Sequence, residues 1–167
     1  AGKGVVVPEG EAETEVALHN LVRDGEIVLE ERLSGPECSL LALCDGRIAV
    51  PLPIAQDHKR IGEGDIGANT GGMGAYAPAP VPFGADALTR TFIQPVLDHL
   101  AAQGTPYVGV LYAGLMLTPD GPRLLEYNCR FGDPEAQAIL PLVESDLVEV
   151  LLAACAGRLA DTKVVIR

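Results

Sequence analysis

The chain has 167 residues, is 48% hydrophobic and 21% charged, and carries a formal net charge of −11. Those values suit a soluble globular chain with one or two cores. The acidic balance excludes a protein that lives on nucleic acid, because phosphate-backbone binding needs a basic surface.

The same charge makes an anionic ligand demanding. It would need a metal ion and a few local cations. Cys38, Cys44, Cys129 and Cys155 show no CxxC spacing and no His partner at zinc spacing. They read as reduced, buried thiols of a cytoplasmic protein. No run of about 18 apolar residues predicts a membrane span. The first residues, Ala1-Gly2-Lys3-Gly4, run straight into Val5-Val6-Val7, and the last ones include Val164-Val165-Ile166. Both ends cut through apolar stretches, so a piece of a longer protein is expected.

Lys3 stands between two glycines just before an expected strand, Val5–Val7. Glycines let backbone N–H groups approach an anion, and lysine adds a point charge. From this tetrapeptide alone a surface lysine is the better reading, and no GxxxxGK[ST] pattern is present. Residues 11–23 carry a modest amphipathic helix closed by Asp24-Gly25. Residues 27–33 read as a strand, and residues 37–44 as another. Asp45-Gly46 predicts a hairpin turn into residues 47–52. Glu30, Glu31 and Glu37 crowd the end of the first of these two stretches and the start of the second. They fit exposed salt pairs. They also fit a segment whose backbone reads a flat base while one carboxylate accepts from sugar hydroxyls.

Gln56-Asp57-His58-Lys59-Arg60 follows an apolar strand. It is either a solvated loop or one facing a substrate, where Lys59 and Arg60 would meet phosphate. Residues 67–76 hold four glycines and read as a loop that closes over a ligand. Residues 86–103 predict a long helix with one buried face, and Pro95 inside it predicts a kink or a second start.

Residues 108–118 read as an apolar strand, Pro119-Asp120-Gly121 as a turn, and residues 122–129 as the returning strand. Strand alternation puts Leu124, Glu126 and Asn128 on one face and Leu125, Tyr127 and Cys129 on the other. A carboxylate and an amide oxygen at this spacing suit a hard cation such as Mg²⁺, which keeps water and phosphate as its other ligands. Arg130 adds a planar cation for phosphate or carboxylate. Asp133-Pro134-Glu135 reads as a helix start with Asp133 as N-cap. Taken alone, Glu126-x-Asn128 is better read as a polar strand end before a capped helix. A last helix covers residues 146–156, capped by Ser145 or Asp146.

The ordered set changes that balance. Ala1-Gly2-Lys3-Gly4, Gln56 to Arg60, Asn69-Thr70-Gly71-Gly72-Met73-Gly74-Ala75-Tyr76 and Leu125 to Glu135 occur in this order. Together they closely resemble the phosphoribosylamine–glycine ligase family of ATP-grasp enzymes, over nearly the whole chain. The resemblance implies an α+β, partial ATP-grasp fold of antiparallel sheets with packed helices. Residues 1–35 would be part of the small ATP-grasp subdomain and residues 36–167 the large one. The family's N-terminal and C-terminal domains would be missing partners.

The resemblance implies that ATP phosphorylates glycine and that the amine of 5-phosphoribosylamine attacks the acyl phosphate. Lys3 would hold ATP phosphates, Glu31 and Leu33 would read adenine through backbone groups, and Glu37 would take the ribose hydroxyls. Glu126 and Asn128 would hold Mg²⁺ (or Mn²⁺), and Arg130 would steady the transferring phosphate. Asp57, Lys59, Arg60, Asn69, Thr70, Gly71 and Gly72 would line the substrate side. The residues alone give an anionic nucleotide carried by metal; glycine and the ribosylamine come only from the resemblance. Two rivals stand beside it. One is another ATP-grasp carboxylate–amine ligase. The other is a truncated Mg·ATP-binding fragment that does not turn over.

Overall fold

The computed structural model describes residues 5–64 and 66–167. The chain forms two compact units that divide between Ser34 and Gly35.

In the N-terminal unit, α1 (Glu11–Leu21) runs on as a 3₁₀ turn, Val22–Asp24, and stops at Gly25, whose φ is 133°. The N-cap, Gly10, has no side chain to offer, and Glu13 instead accepts from the Glu9 N–H at 2.7 Å. No residue of α1 is buried. The strands expected at residues 5–7 and 27–33 do not form. Both stretches are irregular, and Val5, Val28 and Leu29 are 68%, 82% and 78% exposed. An apolar run becomes a strand only when a ladder partner takes up its backbone groups. Neither run has one among the described residues.

The second unit follows in chain order. It holds β1 (Glu37–Asp45), β2 (Ala49–Pro51), β3 (Gln56–Asp57), β4 (Arg60–Gly62), β5 (Ile66–Asn69) and β6 (Ala75–Tyr76). Next come α2 (Ala85–Leu88), a π turn (Thr89–Ile93) and α3 (Gln94–Ala102). Then come β7 (Val108–Thr118), β8 (Gly121–Asn128), α4 (Glu135–Ile139) and α5 (Leu147–Cys155). The main sheet is antiparallel with order β2-β1-β7-β8; β3 pairs with β6, and β4 with β5.

β1 is apolar without alternation because both of its faces are covered. On one face Leu40, Ala42, Leu111, Ala113 and Leu115 pack with Leu88, Ile93 and Leu97. On the other, Leu41, Leu43, Val110 and Tyr112 pack with Ile139, Val150, Ala153 and Leu159. Each fully buried leucine contributes about 1.5–3 kcal/mol.

The Asp45-Gly46 turn forms as expected and does a second job. Asp45 Oδ1 accepts from the N–H groups of Arg47 at 3.0 Å and Ile48 at 2.8 Å, and Oδ2 accepts from that of Leu159 at 3.1 Å. Burial pushes this carboxyl up, but the backbone donors outweigh it and hold its pKa below the usual value.

The expected helix over residues 86–103 is two helices joined by the π turn, and Pro95 lies in the first turn of the second. A proline there lacks only an N–H that the first turn does not use. At α4 the expectation fails in detail. Pro134, not Asp133, occupies the N-cap position, and Asp133 Oδ1 accepts from Gln137 Nε2 at 2.9 Å. At α5 the cap is Asp146, which accepts from the N–H groups of Val148 and Glu149. Cys129 and Cys155 are exposed, so only Cys38 and Cys44 are the buried thiols expected. Among the described residues no helix is long and apolar enough to cross a membrane.

Candidate active site

Glu126 and Asn128 sit at the end of β8, and their placement depends on one extra residue. Across the β7–β8 ladder Leu115 faces Leu124, Gly114 faces Glu126, Ala113 faces Tyr127 and Tyr112 faces Asn128. Leu125 has no partner, so it is a β-bulge. The bulge changes the alternation expected from the sequence. Residues paired across a ladder share a face, so Leu124 lies on the face of Leu115, opposite Glu126, though it is itself exposed. Glu126 and Asn128 do share a face, the one that carries Tyr112. Asn128 Nδ2 donates to Glu126 Oε1 at 3.1 Å, and Arg130 Nη2 reaches Asn128 Oδ1 at 3.5 Å. Arg130 also donates to the carbonyl of Phe131 at 2.9 Å. The three side chains expected to work together are therefore in one line.

Lys59 Nζ lies 2.5 Å from Glu37 Oε2. Burial works to lower the lysine pKa, but Glu37, Asp57 and Glu126 hold it above its ordinary value. Glu37 faces Met116 across the β1–β7 ladder and so lies on the face that carries Tyr112 and Glu126, where its ion pair brings Lys59. Arg60 does not join it: it is exposed, and its Nη1 donates to the carbonyl of Gly67 in its own hairpin at 2.7 Å.

The two loops read separately in the sequence are one structure. Thr70 N–H and Thr70 Oγ1 both donate to the Lys59 carbonyl, at 2.7 and 2.9 Å. His58 N–H donates to Gly74 and Met73 N–H to His58. Gly72 N–H donates to Thr70 Oγ1 at 3.1 Å. Gly72 has φ 128°, and a Cβ there would lie 2.4 Å from Pro134 Cδ and 3.0 Å from Asp57 Oδ1. Only glycine lets this loop close onto the start of α4. Gly71 has open space around it. Asn69 pairs with Arg60 through its backbone, and its side chain lies outside the description. His58 stacks on Tyr76 with ring centroids 5.8 Å apart.

Sequence reasoning missed a buried polar cluster behind this surface. Glu135 is 2% exposed, and its Oε1 accepts from Tyr112 Oη at 2.7 Å and Ser39 Oγ at 2.9 Å. Tyr112 is held well above the ordinary tyrosine pKa, by burial first and then by Glu135. Asp57 lies close by. Burial and then the charge of Glu135 push its pKa to about 6, against the pull of Lys59. Its Oδ1 is buried with no hydrogen-bond partner among the described residues. The available signal was an acid at the first helical position, which reads as helix-dipole chemistry and does not show that the carboxylate points inward.

Lys3 lies outside the described residues. Glu31 is exposed and Leu33 half-buried, both in the irregular part of the N-terminal unit. Among the described residues no group of three or more His, Cys, Asp or Glu side chains could hold a metal by itself. Glu126 and Asn128 offer two oxygens. That donor set fits Mg²⁺ bound through one carboxylate with phosphate and water completing the shell.

A family model described as phosphoribosylglycinamide synthetase, ATP-grasp (A) domain, matches residues 1–136. The chain is 56% identical over 158 residues to a phosphoribosylamine–glycine ligase of Synechocystis, covering 92% of this chain and 38% of that protein. It is 50% identical over 171 residues to the ligase of the same name from Caulobacter vibrioides, covering 98% of this chain and 40% of that protein. It therefore spans about two fifths of the length of these curated relatives. The crystal structure of phosphoribosylamine–glycine ligase from Thermotoga maritima superposes with a TM-score of 0.68 at 39% identity, over 77% of this chain and 33% of that one. The α+β architecture is an ATP-grasp one, and the chain belongs to the phosphoribosylglycinamide synthetase ATP-grasp (A) domain family.

Proposed function

We propose that this chain is the nucleotide- and metal-holding part of a cytoplasmic ATP-dependent ligase. That ligase joins glycine to 5-phosphoribosylamine through glycyl phosphate, giving glycinamide ribonucleotide, ADP and phosphate. The observation that carries the reading is the pair Glu126 and Asn128 on one face of β8, with Arg130 bonded to Asn128 just past the strand end and Lys59 ion-paired to Glu37 on the same face of the sheet.

Glu126 and Asn128 would hold Mg²⁺ or Mn²⁺, which supplies neutralising charge to phosphate oxygens. Arg130, at the end of the strand, would meet the phosphate that is being transferred, where a fixed cation acts without reorganising. Asp57, Lys59, Arg60, Asn69, Thr70, Gly71 and Gly72 would line the substrate side; the loop carrying most of them is fixed through Thr70 and Gly72. Lys3, Glu31, Leu33 and Glu37 would serve ATP. The remaining domains of the same enzyme would complete the ribosylamine site.

The coverage of about two fifths of each curated relative favours a second reading of the chain by itself: a fragment that holds Mg·ATP and does not turn over. Steady-state ADP formation, measured for the chain by itself and for the ligase containing it, separates the possibilities. The reading expects ADP only when glycine and 5-phosphoribosylamine are both present. Turnover with a different carboxylate–amine pair, and none with this one, would replace it with another ATP-grasp ligase.

A further inference from the structure

The bulge at Leu125 creates a problem that the fold has to solve. A slip of one residue sends every side chain of a strand to the opposite face. At a bulge the strand already carries one residue too many. Moving the extra residue past Glu126 and Asn128 would turn both toward α3 and bring Tyr127 onto the site face. Burial gives little to hold the phase, because Glu126 and Tyr127 are both exposed, Tyr127 at 37%.

A side-chain bond reaches out from the other side of the sheet. Tyr127 Oη donates to the carbonyl of Phe92 at 2.5 Å. Phe92 lies in the π turn, Thr89–Ile93. The π turn runs directly into α3, whose first turn holds Pro95. The turn is firmly seated, since Ile93 beside Phe92 and Leu97 one turn on are both 0% exposed. Tyr127 thus ties the strand to a fixed point, one residue from each proposed ligand.

We propose that Tyr127 is a positioning residue: its bond to Phe92 sets the phase of the bulged strand and so aims Glu126 and Asn128 at the metal. The inference rests on the functional reading above only for what the pair binds. The orientation of the pair is a property of the chain itself.

The test compares Tyr127→Phe with Thr118→Val in the 167-residue chain. Thr118 Oγ1 donates to the Gly121 carbonyl at 2.7 Å, at the far end of the same two strands. Each variant therefore loses one hydroxyl-to-carbonyl bond, and a purely structural role predicts the same outcome for both. Positioning predicts that Tyr127→Phe alone shifts the side-chain amide NMR signals of Asn128, whose Nδ2 donates to Glu126. It also predicts that Tyr127→Phe alone weakens Mn²⁺ binding in the presence of ATP by about tenfold, the usual scale for losing an outer-shell partner. Wild-type Asn128 signals in Tyr127→Phe would overturn the proposal. If the unaltered chain binds no Mn²⁺ with ATP, the functional reading fails, and the Asn128 signals still decide the positioning role.

Discussion

Tyr112 Oη donates to Glu135 Oε1 across 2.7 Å, and Glu135 is only 2% exposed. The bond joins the centre of β7 to the first residue of α4. A hydrogen bond to a buried carboxylate is worth more than one between neutral groups, and removing its donor leaves the acceptor poorly satisfied. Tyr112→Phe should therefore cost about 2 kcal/mol of stability. Chemical denaturation of the two proteins would measure it. A change below about 0.5 kcal/mol would show that Ser39 alone suffices.

Asp57 gives a pH-dependent prediction. Its pKa in the folded chain is raised to about 6 from an ordinary 3.8. Between those values the folded state binds more protons than the unfolded one, so stability falls as pH rises. The penalty is absent below the ordinary value and complete above about 6. Asp57→Asn removes the charge and keeps the shape. It should raise the melting temperature at pH 8 and leave it unchanged near pH 4. An equal shift at both values would mean that the charge of Asp57 is not the cause.

Gly72→Ala should disturb the junction between the glycine-rich loop and α4. The new Cβ would lie 2.4 Å from Pro134 Cδ, at a φ of 128° that L residues rarely adopt. Strain of this kind costs about 1–3 kcal/mol. The neighbouring Gly71 has open space around it, so Gly71→Ala serves as the mild control. Thermal melts of the two variants should differ clearly, and equal melts would contradict the packing.

These sites show what could be read from the sequence and what could not. β1, β7, the Asp45-Gly46 turn and the cap of α5 follow from local chemistry, and each forms where it was expected. Residues 5–7 and 27–33 have the same apolar look and form no strand, because pairing is not a local property. The Glu126–Asn128 pair was legible by spacing. Its face was only half legible, since no composition marks Leu125 as the extra residue. The ion pair of Glu37 with Lys59 joins residues 22 apart, and the contact of Glu135 with Ser39 joins residues 96 apart. A single sequence carries no signal for either.

Arg130 should matter to rate more than to folding. It is exposed, and its bonds go to Asn128 and to the adjacent carbonyl. In the intact ligase, Arg130→Ala should lower kcat by roughly 10²-fold, the scale of one preorganised stabilising group. The melting temperature should be little changed. A loss of less than about threefold would remove Arg130 from phosphate transfer.

The most direct measurement is calorimetric binding of Mg·ATP to the chain and to Glu126→Gln, with Glu9→Gln as the control for lost charge. Glu126 shares its face with Asn128, whereas the Glu9 backbone N–H donates to Glu13 on α1. The account predicts that binding requires Mg²⁺, survives Glu9→Gln and is lost or greatly weakened in Glu126→Gln. Equal affinity in the two variants would contradict it, because the metal would then be held elsewhere.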